Sequence, residues 1–276
     1  MGRLALRPGL RHYAHKAPEG ESFTNTKACK FDGVNDYAYF VDGAGGDIGL
    51  PTSNGYSVSL WLKNSSWTTA QSTGVVAFAL KKGPKWSWDN VLVWATAERG
   101  WTGAEWRYGL GVKERVNNTP DGDKLVSVTT EPADDTWVHY VFTSASTDSA
   151  AGANKLYLNG SEVASGTGAS LTGSATAVVV GGLHYTTAYL NWDGWIDEPA
   201  LYDRVLTSGE VSAIYAGGKA VNLKGLASSS ALVNWWRMGD DSSDSNTSFV
   251  DQVGSKDLTG TGFGSGYGIV EDAPPA

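Results

Sequence analysis

The stretch Tyr56-Ser-Val-Ser-Leu-Trp-Leu-Lys63 most constrains what this chain can fold into. Tyr56, Val58, Leu60 and Leu62 recur at every second position, the period of a strand with one face on a core. Trp137-Val-His-Tyr-Val-Phe142 reads as a second strand. Lys155-Leu-Tyr-Leu158 and Ser161-Glu-Val-Ala164 flank Asn159-Gly160, a dipeptide that supplies the positive φ angles of a type I′ hairpin turn. Ala177-Val-Val-Val180 runs into Gly181-Gly182 and reads as a short buried strand. With 35 glycines and only 18% charged residues, the chain suits short strands and tight turns rather than helical bundles or coiled coils. The predicted fold is all-β, an antiparallel two-sheet jelly-roll sandwich. The 12 Trp and 12 Tyr can fill a core and still leave aromatics for contacts.

One helix interrupts the strands. Thr207-Ser-Gly-Glu210 is a capping box, in which hydroxyl and carboxylate each satisfy a free amide at a helix start. Val211, Ile214 and Tyr215 form its apolar face, and Gly217 is placed to end it. The helix is expected over one sheet edge. The acidic loop 239–248 reads as solvated, and Gly260-Thr-Gly-Phe-Gly-Ser-Gly266 as flexible turns, since no strand–turn–helix context makes it a phosphate loop.

Several classes are excluded. A single cysteine, Cys29, allows no intrachain disulfide and no cysteine zinc site. The longest wholly apolar run is six residues, Val75 to Leu80, so no membrane insertion is expected. No signal-peptide apolar region is visible near Met1. The net charge of −8 argues against nucleic acid as a partner. That charge is uneven: residues 1–30 carry +4 and the remainder −12. We read residues 1–27 as an extended basic N-terminal arm. Arg3, Arg7, Arg11 and Lys16 are its candidate particle-anchoring residues, suited to an acidic partner or a neighbouring copy.

Four segments together resemble the laminin G-like, concanavalin A-like jelly-roll family. They are Phe31-Asp-Gly-Val-Asn-Asp-Tyr37; Tyr56 to Lys63; Trp137-Val-His139 with Leu156-Tyr-Leu-Asn159-Gly160; and Gly194-Trp-Ile-Asp197-Glu198 running into Leu201-Tyr-Asp-Arg204-Val-Leu206. In that family a phrase like Leu232-Val-Asn-Trp-Trp236, an acidic loop and Asp251-Gln-Val-Gly-Ser-Lys-Asp257 precedes the Phe-Asp-Gly strand. Here it comes last. The resemblance implies one domain over 28–276, with 219–276 returning to complete the sandwich, as in a permutation. The basic arm and the Trp-Trp-Arg-Met-Gly-Asp tail are similar to laminin G-like virion proteins of tailed bacteriophages.

The resemblance sets the candidate chemistry. Glucanase members carry an E-x-D-x-x-E strand, and that spacing is absent here. His139 reads as a core histidine, Cys29 lacks any feature that would lower its pKa, and no catalytic residue is assigned. No cofactor is required. Calcium is the one metal the family implies, with Asp32, Asn35, Asp36 and Asp197 as candidate ligands if their strands adjoin. Trp86, Trp88, Trp101 and Trp106, interleaved with charges, are candidates for glycan or protein contact. The expected protein is a non-enzymatic component of a phage virion, decorating the capsid. Its partners would be the major capsid protein, copies of itself and host-surface glycans. The alternative is a stand-alone or tail-associated lectin or adhesin, calcium-dependent if the metal site forms.

Overall fold

The computed structural model describes residues 23–41, 48, 55–66, 75–81, 132–145, 154–166, 175–182 and 191–276, with the backbone of strands at 91–101, 106–114 and 124–127. The first strands are β1 (Ala28–Asp32), β2 (Tyr37–Val41), β3 (Tyr56–Lys63), β4 (Val75–Lys81), β5 (Val91–Trp101), β6 (Trp106–Glu114) and β7 (Lys124–Ser127). There follow β8 (Val138–Ser144), β9 (Asn154–Leu158), β10 (Ser161–Gly166), β11 (Ala177–Val180) and β12 (Asp193–Tyr202). Beyond the helix α1 (Ser208–Tyr215) come β13 (Leu232–Trp235), β14 (Ser248–Phe249), β15 (Leu258–Thr261) and β16 (Gly268–Val270). They form two antiparallel eight-stranded sheets. One runs β10-β9-β8-β3-β12-β1-β16, with β13 also paired to β12; the other runs β14-β15-β2-β11-β4-β5-β6-β7. Among the described residues no helix is long and apolar enough to cross a membrane.

The expected alternation in β3 is present. Tyr56, Val58, Leu60 and Leu62 point into the core between the sheets, where they meet Phe31, Phe78, Leu80, Phe142, Val178 and Trp236. The other face of β3 is also buried, which alternation alone does not predict. A second apolar layer covers it: Val211, Ile214, Leu223, Leu232 and Trp235 pack on Val141, Tyr157, Ala200 and Tyr202. The small polar residues of that face are satisfied by hydrogen bonds. Ser57 Oγ donates to the Arg204 carbonyl at 2.8 Å and accepts from the Leu206 amide at 3.0 Å. This follows the rule that buried polar groups find partners.

The hairpin and the helix arise from local chemistry. Asn159 and Gly160 take φ of 50° and 78°, and β9 and β10 pair around them. Both arms of the capping box form, and Arg204 grips Glu210 with two bonds of 2.6 and 2.9 Å. Ala216 and Gly217, at φ 47° and 70°, end α1 in the left-handed region, as the position of Gly217 led one to expect. One expectation needs correction. The helix lies over the sheet face rather than only its edge, because Val211 and Ile214 need apolar partners that β8, β9 and β12 provide.

The last segment is woven into both sheets: β13 pairs with β12, β15 with β2 and β16 with β1. The acidic loop keeps residues 242–243 and 245–247 exposed, as expected, while its aspartates act as clamps. Asp244 accepts from the Gly239 and Val250 amides, and Asp240 from the Thr26 and Lys27 amides. Part of the glycine-rich end is strand, since Gly260 sits in β15, and Phe263 packs on Phe31 and Phe249. Docking of the amino end begins before Ala28. Phe23 stacks on Trp235, Asn25 donates to Asp197, and Arg237 donates to the Thr24 carbonyl.

Candidate functional site

The structure distributes the sequence candidates unevenly. Arg3, Arg7, Arg11, Lys16, Trp86 and Trp88 lie outside the described residues. Trp101 and Trp106 are backbone partners at the end of the β5–β6 ladder, and their side chains lie outside the description.

The candidate calcium ligands are only partly brought together. Asp32 Oδ1 accepts from the amides of Val34, Asn35 and Asp36 at 2.8, 3.0 and 3.2 Å, a turn built on one carboxylate. Asp36 Oδ2 accepts from the Asp32 amide at 3.0 Å. Burial, reinforced by Asp32, pushes the Asp36 carboxyl up to about 6. Its Oδ1 is buried and without a donor among the described residues. Asp197 is elsewhere. The β1–β12 register sets Asp32 opposite Asp193 and Cys29 opposite Ile196. Asp197 is therefore four residues along β12 from that turn, about 13 Å at strand rise. There it accepts from Asn25 Nδ2 at 2.8 Å and the Glu198 amide at 2.9 Å. Among the described residues no group of three or more His, Cys, Asp or Glu is arranged to hold a metal ion.

The groups with catalytic potential are sealed. His139 is buried, with Nε2 3.0 Å from Ser59 Oγ and its ring against Trp61 and Tyr215. Burial lowers its pKa to about 3, so it stays neutral and is a poor proton acceptor. Ser59, His139 and Glu198 share with Ile214 and Leu223 a cavity with room for about one water. Asp197 and Glu198 sit on a bulge of β12, with Glu198 at φ 53°. Burial pushes both carboxyls up. Glu198 accepts from the Trp235 indole and from Arg237 Nε, so this pair fastens the second layer to the sheet. Burial likewise pushes the Cys29 thiol up.

The open chemistry lies on the outer face of the first sheet. Cys29, Phe31, Ile196, Leu62 and Val138 point inward, so their neighbours Lys30, Trp195, Lys63 and Trp137 point outward. The register aligns these four. Lys30 pairs with Trp195, Trp195 with Lys63, and Trp137 precedes the Val138 that pairs with Leu62. Tyr267 enters from beside β16. The result is a row Tyr267–Lys30–Trp195–Lys63–Trp137 that alternates rings and ammonium groups. Lys30 Nζ is 4.6 Å from the centre of the Trp195 ring and 5.3 Å from that of Tyr267. Lys63 Nζ is 4.6 Å from Trp195 and 5.9 Å from Trp137. Cation–π attraction thus sets both lysines against the indole they share.

One end of the row is closed by the chain itself. Asp272 accepts from Lys63 Nζ at 2.7 Å and from Trp137 Nε1 at 3.3 Å. The other end is open, since Lys30 Nζ and Trp195 Nε1 have no acceptor among the described residues. Sequence reasoning did not single out this row. That Lys30 and Trp195 point away from the core was legible from Cys29-Lys-Phe31 and Trp195-Ile196. Their alignment depended on the strand order.

The comparisons agree with this architecture. None of the curated proteins matches the chain. A protein from Bacteroides ovatus ATCC 8483, provisionally described as carbohydrate binding, superposes with a TM-score of 0.61 at 12% identity. The match covers 92% of this chain, which thus spans only 62% of that protein's length. The heptameric SAP-like pentraxin of Limulus polyphemus superposes with a TM-score of 0.50 at 17% identity, over 69% of this chain and 82% of that one. The sequence profile of the concanavalin A-like lectin/glucanases superfamily matches residues 32–212. On that match, and with two antiparallel sheets enclosing one core, the chain belongs to the concanavalin A-like lectin/glucanases superfamily.

Proposed function

We propose that this chain is a non-enzymatic carbohydrate-binding module that meets its ligand along the Tyr267–Lys30–Trp195–Lys63–Trp137 row. One observation carries the reading: the Lys30 and Trp195 donors, without an acceptor among the described residues, stand beside aromatic rings on a half-exposed part of the sheet face. Sugars supply the oxygen acceptors that ammonium and indole donors lack, and their C–H groups pack on ring edges. The ring faces are turned to the lysines, so contact is made by edges and donors rather than by broad stacking. The Bacteroides ovatus protein of the same architecture supports the reading. The test is a glycan array probed with the full chain, followed by titration of the hits against Trp195→Ala. A loss of at least tenfold in affinity is expected while the variant remains folded, with a melting temperature lowered only by the lost packing and cation–π contacts. Equal binding by the variant would move the site elsewhere, and an array without hits would refute the reading.

We infer further that the module is carried on a phage particle as a capsid decoration. Arg3, Arg7, Arg11 and Lys16 would anchor it, and the major capsid protein and further copies of itself would be its partners. The charge split of +4 against −12 favours this, as does the point of departure that Phe23 gives the arm on the domain. Many copies would make a weak glycan contact effective. Copy number in purified particles, measured by quantitative mass spectrometry, decides the placement. A whole-number ratio to the shell protein supports decoration. A handful of copies points to a tail-associated lectin, and absence refutes a virion role.

A further inference from the structure

The row contains the same donor pair twice. In the first copy, Lys63 on β3 stands beside Trp137, and their ammonium and indole N–H groups both bond the Asp272 carboxylate. In the second copy, Lys30 on β1 stands beside Trp195 on the adjoining strand, and no carboxylate reaches them among the described residues. Lys30 and Lys63 are two strand spacings apart, about 9.6 Å. The chain thus displays, on its own tail, the kind of group that such a pair accepts.

From this repetition we infer that Lys30 and Trp195 Nε1 form a carboxylate subsite, and that the glycan carries uronate units. The inference rests on the carbohydrate-binding reading above and narrows its ligand class. The surroundings narrow it further. Asp193 precedes Trp195 by two positions on the same face and feels the Lys30 charge without pairing to it. Asp272 lies at the other end of the row, and Glu271 is 3.9 Å from Lys27, three residues before Lys30. These acids and the net charge of −8 repel a dense polyanion. At physiological salt that repulsion is screened beyond about 8 Å, whereas a direct ammonium–carboxylate contact is not. A saccharide with sparse carboxylates fits; a heavily sulfated chain does not.

The experiment titrates the full chain with uronate-containing oligosaccharides (oligogalacturonate and a hyaluronan hexasaccharide) and with the carboxyl-reduced form of each. Lys30→Gln and Trp195→Phe are the variants; the second keeps a ring and removes the N–H. The uronate forms should bind about tenfold more tightly than their reduced forms. Lys30→Gln should erase that difference, weakening the uronate forms about tenfold more than the reduced forms with the fold retained, and Trp195→Phe should narrow it. Equal binding of the two forms by the unmodified chain overturns the carboxylate subsite and leaves the carbohydrate-binding reading standing. Failure of every saccharide, neutral or acidic, overturns both. Poly-glutamate that binds as tightly and with the same dependence on Lys30 would assign the subsite to a protein partner and overturn the uronate assignment.

Discussion

Raising the pH from about 5 to about 8 should loosen this fold, with Glu198 as the largest assignable cause. Its carboxyl rises from the ordinary 4.5 to about 7, chiefly through burial, with Arg237 and the Trp235 indole pulling the other way. Asp197 beside it is also pushed up, by burial and by Glu198. A carboxyl that holds its proton more tightly when folded supports the fold below its unfolded value. That support is lost as pH climbs through the folded value. At about 1.4 kcal/mol per tenfold change, the Glu198 rise is worth at most about 3 kcal/mol between roughly pH 4.5 and 7. Asp36, raised to about 6, acts in the same direction over part of that window. The assay is urea unfolding at about pH 5, 6, 7 and 8 for the unmodified chain and for Glu198→Gln. The glutamine keeps an oxygen for the Trp235 indole and loses charge toward Arg237. That constant cost shifts the whole profile without altering its slope. The unmodified chain should lose about 2–3 kcal/mol across the range, and the variant about 2 kcal/mol less than that. Parallel profiles, or stability that climbs with pH, would refute the account of Glu198 as a buried carboxyl held partly protonated.

Two further substitutions test the packing. Gly181 has φ 82°, and a Cβ there would fall 2.1 Å from Phe31 Cε1 inside the core. Gly181→Ala should therefore cost about 2–5 kcal/mol, from left-handed strain plus overpacking, read as a lowered urea midpoint. Thr207→Ala removes the hydroxyl that accepts from the Glu210 amide at 3.3 Å and donates to Glu210 Oε2 at 3.0 Å. It should cost about 1 kcal/mol, and a change within error would show that α1 is held by Val211 and Ile214 alone.

The fold class was legible because its signals are local. A period of two in Tyr56–Lys63, a turn-forming Asn159-Gly160 and a capping box at Thr207–Glu210 each act within a few residues. The candidate site was not legible in the same way. Asp32 and Asp197 looked like partners, because both belong to motifs that adjoin in the sheet, but antiparallel register spaces them four residues apart. Asp240 and Asp244 looked solvated, because nothing in a run of Asp and Ser announces the backbone amides it will meet.

From its residues alone, this chain was bound to make a disulfide-free, strand-rich sandwich with one short helix, since period, turn chemistry and composition are properties of neighbours in sequence. Which outward residues meet was decided by the tertiary structure. Lys30, Trp195, Lys63 and Trp137 come from four separate segments, and only the strand order and register set them in one row. Asp272 reaches that row because β16 pairs with β1 and carries the end of the chain back to where it began. Pairing between distant segments depends on burying both faces of the sheet at once, a condition that no single stretch of sequence expresses.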